Sequence, residues 1–171
     1  GIASSPAIST PPCVFNRYIT FGSFNNLAKI TGEVIETWSE ILHRVPLSRL
    51  VLKSRALSDD KTAEYIYSQF LTKGISRSRL HMVGWVPSMR KHMQYYGWVD
   101  IALDTFPYNG TTTTCQALWM GVPVVTLQGN LHAGRVGTSI LMQLGLRQLI
   151  AKNIKEYTEI ASGLAMRKDK I

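Results

Sequence analysis

Residues 100–126 read DIALDTFPYNGTTTTCQALWMGVPVVT. A buried-strand pattern over Asp100 to Leu103 passes through a turn at Pro107, Tyr108, Asn109 and Gly110. It then meets four consecutive threonines, Thr111 to Thr114, and an apolar helical run closed by Gly121. A second strand, Val122 to Thr126, follows at once. Strand, hinged loop, helix and strand make half of a β-α-β unit, and in open α/β sheets the strand-to-helix loop faces the ligand.

The chemistry of that loop is legible from its residues. Thr111 to Thr114 fall on the first helical turn, where backbone N–H groups lack intrahelical partners and the peptide dipoles sum to partial positive charge. Such an end binds anions. Gly110 lets the backbone approach a ligand closely and Asn109 tolerates unusual dihedrals, so a phosphate or diphosphate can take several N–H and hydroxyl bonds together. One threonine alone would read as an N-cap. Four β-branched residues in a row are poor helix formers, which favours a ligand loop.

Working outward, the same alternation recurs. Tyr18 to Phe24 is the first strand candidate, and Thr31 caps a helix with Val34, Ile35, Trp38, Ile41 and Leu42 at helical spacing, ended by Pro46. Arg49 to Lys53 is a short continuous strand, Asp59 to Lys73 an amphipathic helix stopped by Gly74, and Leu80 to Val86 a third strand. Pro87-Ser88 opens a helix carrying Met89, His92, Met93 and Tyr96. After the central unit come a glycine-rich loop (128–137), a helix to Leu144, a short strand at Leu149-Ile150 and a helix from Ile154 to Met166. The predicted fold is α/β: a doubly wound, mostly parallel Rossmann-like sheet with helices on both faces. Its ligand-edge loops are 25–30, 53–58, 86–92, 105–114 and 128–135. Lys29 falls on the same edge as the threonines, where a lysine can neutralise a phosphate. A lone His92 on an apolar helix face reads, from spacing alone, as a packing residue.

Composition bounds the rest. The chain has 171 residues, 45% hydrophobic and 18% charged, enough for one domain with a core. No apolar run has bilayer-spanning length and no leader pattern opens the chain, so a soluble, cytoplasmic protein is expected. Cys13 and Cys115 are expected as free thiols, without metal-ligand spacing. Lys+Arg 19 against Asp+Glu 11 gives +8, which suits a polyanionic partner: nucleic acid, a membrane surface or a phosphorylated small molecule. The charges are dispersed and no zinc-finger or RNA-recognition signature is present, so nucleic acid is the lesser reading. Residues 1–17, rich in Ser and Pro, read as a linker or the tail of a preceding segment, with the domain over 18–171 and the whole expected to be a fragment of a longer chain.

FGSFNNLAKIT (Phe21 to Thr31), HMQYYGWVDIALDTFPYNGTTTTCQALWMGVPVVTLQG (His92 to Gly129) and HAGRVGTSIL (His132 to Leu141) resemble the C-terminal catalytic lobe of the O-GlcNAc transferase and SPINDLY family, glycosyltransferase family 41. The resemblance runs from about Tyr18 to about Leu164, and its most specific part is NGTTTT-x3-LWMGVP. It implies the C-terminal lobe of a GT-B enzyme that moves N-acetylglucosamine from UDP-GlcNAc to Ser or Thr of proteins with inversion and no obligatory cofactor. An N-terminal catalytic lobe and tetratricopeptide repeats are implied as partners within the same protein.

By position, the resemblance implies that Lys29 contacts the diphosphate and helps the nucleotide leave, with Asn26 near the phosphates. It puts His92 against the nucleobase, whose edge is read by backbone around Val86 to Met89. Thr112 and Thr113 lie on the diphosphate, with Thr111, Asn109 and Gly110 in the same loop, and His132 and Arg135 match an HA-x-RVG stretch. Gln116 stands where an acidic residue normally accepts from the ribose hydroxyls, and a neutral amide accepts more weakly. The wording FNNLAKIT and HMQYY is closest to the SPINDLY branch, some members of which use GDP-fucose, so that donor is the alternative. A non-catalytic nucleotide-binding module is the other.

Overall fold

The computed structural model describes residues 5–167 and 171; residues 1–4 and 168–170, part of the leading segment and of the basic stretch at the end, lie outside the described residues. Six strands, β1 (Thr20–Ser23), β2 (Arg49–Lys53), β3 (Leu80–Val83), β4 (Ile101–Leu103), β5 (Val124–Leu127) and β6 (Ile150–Ala151), form one sheet in the order β3-β2-β1-β4-β5-β6. Every neighbouring pair is parallel. That is the doubly wound order, with the reversal of direction between β1 and β4.

Helices cover both faces, and the strands alternate accordingly. Leu50 and Leu52 of β2, Ile101 and Leu103 of β4 and Val125 of β5 join one apolar cluster with Trp38, Ile41, Phe70, Leu141 and Tyr157. Those partners come from α2 (Gly32–Arg44), α3 (Asp60–Thr72), α6 (Val136–Gln143) and α7 (Ile154–Met166). Val51, Ala102 and Val124, the intervening residues, face a second cluster with Met93 of α4 (Met89–Gln94) and Ala117 of α5 (Thr112–Trp119).

Local signals set most boundaries. Thr31 caps α2 by accepting from the Val34 N–H, Asp59 caps α3 from Thr62, Ser88 caps α4 from Lys91 and Asn153 caps α7 from Glu156. Three departures have physical causes. β3 stops at Val83, short of the predicted Val86, because Gly84 crosses so close to Ser58 that a Cβ would lie 2.4 Å from its hydroxyl, which takes the Trp85 N–H at 2.7 Å. β5 begins at Val124, since Pro123 has no N–H for the ladder. Within the leading segment, Cys13–Asn16 form a four-residue helix, too short to show a period. Cys13 is buried in the larger cluster and its N–H donates to Asp100 Oδ1 at 2.8 Å, while Asp100 Oδ2 takes the Thr20 N–H at 2.7 Å. Among the described residues no helix is long and apolar enough to cross a membrane.

Candidate functional site: a cradle and groove at the strand reversal

At the reversal point the loops leaving β1 and β4 turn to opposite faces and leave a crevice beyond the strand ends. Two side-chain bonds span it. Lys29 Nζ donates to the Asn109 carbonyl at 2.9 Å, and Thr113 Oγ1 donates to Asn25 Oδ1 at 2.7 Å. The ammonium also lies 4.3 Å from the Tyr108 ring centroid, a cation–π distance. Lys29 is placed by a tight turn over Leu27–Lys29, which Asn26 caps by accepting from the Ala28 N–H at 3.0 Å. The Asn26 oxygen is thus committed to shaping that turn, and the residue is exposed.

The threonines divide by burial. Thr111 and Thr112 are exposed, Thr113 is half-buried, and Thr114 is buried and donates to the Gly110 carbonyl at 3.0 Å. No side chain caps α5, so its leading N–H groups stay open to an anion. Gly110 is required for close approach, with a Cβ falling 2.4 Å from Thr113 Oγ1 and 2.5 Å from Asn25 Oδ1. Asn109 corrects the expectation drawn from its tolerance of unusual dihedrals: its φ is not positive. It is buried, with Nδ2 donating to the Thr105 carbonyl at 2.9 Å and Oδ1 accepting from the Gly137 N–H at 3.3 Å. It organises the loop and offers its carbonyl to Lys29.

Beneath the loop lies a residue that the sequence reading passed over. Asp104, 1% exposed, accepts from the N–H groups of Thr105 (2.9 Å) and Gly110 (2.7 Å) and from Thr126 Oγ1 (2.7 Å). Burial pushes its carboxyl up to about 6 against these three donors and the nearby Lys29 charge. Its carbonyl takes the Tyr157 hydroxyl at 2.7 Å, and Trp38 Nε1 donates to Tyr157 at 3.1 Å, which ties the loop to α2 and α7. The available signal was an acid ending an otherwise apolar strand.

The other half of the site is a groove of about 730 Å³, lined by Asn25, Asn26, Lys53 to Ala56, Trp85 to Met89, and His92. Its size lies within the range of small-molecule sites. His92 Nε2 lies 3.1 Å from Gln116 Oε1, which also receives the Tyr96 hydroxyl at 3.4 Å. Burial first, then the Lys53 charge, hold the imidazole below its usual range, partly offset by the Gln116 bond, so the ring is neutral at pH 7. A neutral ring presents a face suited to stacking. Gln116→Glu is expected to tighten UDP binding about fivefold if this side chain meets the ribose hydroxyls, since charge-assisted bonds are roughly twice as strong as neutral ones, and to raise the His92 pKa. Calorimetry showing equal or weaker affinity would remove position 116 from the ribose.

His132 and Arg135 lie on the next ligand-edge loop, after β5, and both are exposed. That loop meets the cradle through backbone: the Asn109 N–H donates to the Ala133 carbonyl at 2.8 Å. Arg135 bonds the Asn130 carbonyl within its own loop, so neither side chain is joined to Lys29 or the threonines among the described residues.

Comparison with known proteins agrees with this geometry. The family model for glycosyl transferase family 41 matches residues 13–171. A Petunia hybrida protein named "Probable UDP-N-acetylglucosamine-peptide N-acetylglucosaminyltransferase SPINDLY" is 47% identical over 158 residues, which is 92% of this chain and 17% of that protein. A Caenorhabditis elegans UDP-N-acetylglucosamine-peptide N-acetylglucosaminyltransferase is 35% identical over 151 residues, 88% of this chain and 13% of that one. The solved structure of a mutant O-GlcNAc transferase from Thermobaculum terrenum superposes with a TM-score of 0.86 at 37% identity, covering 95% of this chain and 31% of that one. The curated relatives are therefore several times longer than the matched region. With the doubly wound sheet, the open helix end and the lysine at the reversal point, these matches establish that the chain belongs to glycosyltransferase family 41.

Proposed function

We propose that this chain is the donor-binding lobe of a protein O-glycosyltransferase that transfers N-acetylglucosamine from UDP-GlcNAc to a Ser or Thr hydroxyl with inversion. The observation that carries the reading is the meeting of the Lys29 ammonium and the open N-terminus of α5 across one crevice, tied by the Lys29–Asn109 and Thr113–Asn25 bonds. As the glycosidic bond breaks, the departing nucleoside diphosphate gains negative charge. Preorganised N–H donors and an ammonium aimed at that charge stabilise the transition state more than the ground state. Lys29 exchanges a neutral carbonyl for a phosphate oxygen when the donor arrives, a stronger acceptor at little reorganisation cost. Binding of the hydroxyl acceptor, and any base that deprotonates it, fall to the partner lobe of the same protein and to repeats beyond it.

Isothermal titration of the folded chain with UDP, UDP-GlcNAc, GDP and GDP-fucose tests this. UDP and UDP-GlcNAc are expected to bind, with little or no transfer by this lobe alone. Preference for GDP and GDP-fucose would change the donor assignment. Absence of binding by all four in a folded sample would overturn the donor-lobe reading.

A further inference from the structure

Lys53 ends β2 and is 6% exposed, yet it lines the groove that runs from the cradle past His92. Among the described residues no carboxylate, carbonyl or hydroxyl accepts a hydrogen bond from its ammonium, which stands 5.8 Å from the Tyr95 ring centroid, at the outer limit of a cation–π contact. Burial draws its pKa down, and among the described residues no acid holds it up. The stem is buried and the ammonium opens to the groove, where its partial desolvation is not recovered in a salt bridge. The preceding residues of the strand, Leu50, Val51 and Leu52, carry no such cost. What the ammonium faces is the groove.

Position narrows what it can meet there. β2 lies two strand spacings from β4, roughly 10 Å, on the far side of β1 from the threonine helix. A nucleotide with its diphosphate on the α5 tip, its ribose beside Gln116 and its base against His92 extends that base over this part of the floor. The groove wall there, Trp85 to Met89, includes Pro87, which has no N–H to give a base edge. Arg55 sits on the exposed rim. An ammonium has three donors and no acceptor, so it complements a ring carbonyl oxygen and opposes an exocyclic amine at the same position, as at C6 of guanine against C6 of adenine.

We propose that Lys53 is the base-reading residue of this lobe, its ammonium taking a ring carbonyl oxygen of the donor nucleotide and so selecting the keto bases uracil or guanine over adenine. This rests on the donor-lobe reading above. The test is calorimetry of the folded chain with inorganic pyrophosphate, UDP, GDP and ADP, repeated on Lys53→Met, of similar length and uncharged, and Lys53→Gln, which both donates and accepts. The wild-type chain is expected to bind UDP or GDP at least about tenfold tighter than ADP. In Lys53→Met that ratio collapses toward one while pyrophosphate and ADP affinities stay within about twofold; Lys53→Gln narrows it. If Lys53→Met does not fold, the Lys53→Gln ratio decides alone. Equal weakening of pyrophosphate and UDP would make Lys53 a phosphate contact, and an unchanged base ratio in folded variants would make it a buried cation; either overturns the proposal while leaving the donor lobe standing. A folded wild-type chain that binds neither pyrophosphate nor any nucleotide takes down both.

Discussion

Lys29→Met in the whole protein is expected to slow sugar transfer about 10²- to 10³-fold while changing donor affinity less than tenfold, the split produced when a group acts on charge that develops in the transition state. Methionine keeps the length and most of the apolar contact of lysine and removes the charge. The fold should tolerate it. In the unliganded chain the ammonium makes one part-buried bond, to the Asn109 carbonyl at 2.9 Å, and a net loss of about 1 kcal/mol is the ordinary cost of such a bond. Single-turnover transfer rates alongside donor titration would separate the two effects. A rate within threefold of wild type would mean that the leaving diphosphate is neutralised elsewhere, Arg135 on the neighbouring loop being the cation to try next.

Asp104→Ala is expected to destabilise the chain by about 3–5 kcal/mol and to abolish nucleotide binding with it. Three donors lose their acceptor at once, the N–H groups of Thr105 and Gly110 and the Thr126 hydroxyl, in a position 1% exposed. Gly110 is the residue whose placement lets Thr113 reach Asn25, so the loop loses its anchor where the diphosphate is proposed to sit. Asp104→Asn separates hydrogen bonding from charge. Its amide oxygen can keep both N–H groups, and the Thr126 hydroxyl can turn to accept. The carboxyl is raised to about 6 from 3.8, so its protonated form favours the folded state. That contribution is complete below 3.8 and is lost as pH rises through 6, roughly 3 kcal/mol in all. The asparagine variant lacks this loss. Its Tm should therefore match wild type near pH 4 and exceed it at pH 7.5, and a variant less stable than wild type at pH 7.5 would show that the charge itself holds the loop.

How much of this was legible in the sequence depends on how locally each feature is determined. β2 over Arg49–Lys53, α7 over Ile154–Met166 and the Thr31 cap of α2 follow from residues within one or two turns of each other, and the structure returns them at the predicted positions. The sheet class follows from the repeated alternation of strand and helix, and that alternation alone puts Lys29 on the same edge as the threonines. What could not be read locally is what depends on distant partners. Asp104 becomes the keystone of the loop only once Gly110 and Thr126 converge on it, and the structural commitment of the Asn109 side chain shows only once Thr105 and Gly137 close on it. Lys53 reads as the last residue of a strand. That no described residue accepts a hydrogen bond from its ammonium is a property of the assembled groove.

The pairing of β1 with β4 joins Phe21 to Ile101 and Gly22 to Ala102, whereas β1 meets β2 over four residue pairs. That shorter seam is the one above which the diphosphate is proposed to lie, with Lys29 from one half and the α5 tip from the other. A nucleotide sugar seated there works as a clasp across that seam, and the chain gains rigidity where only two residue pairs hold the halves together.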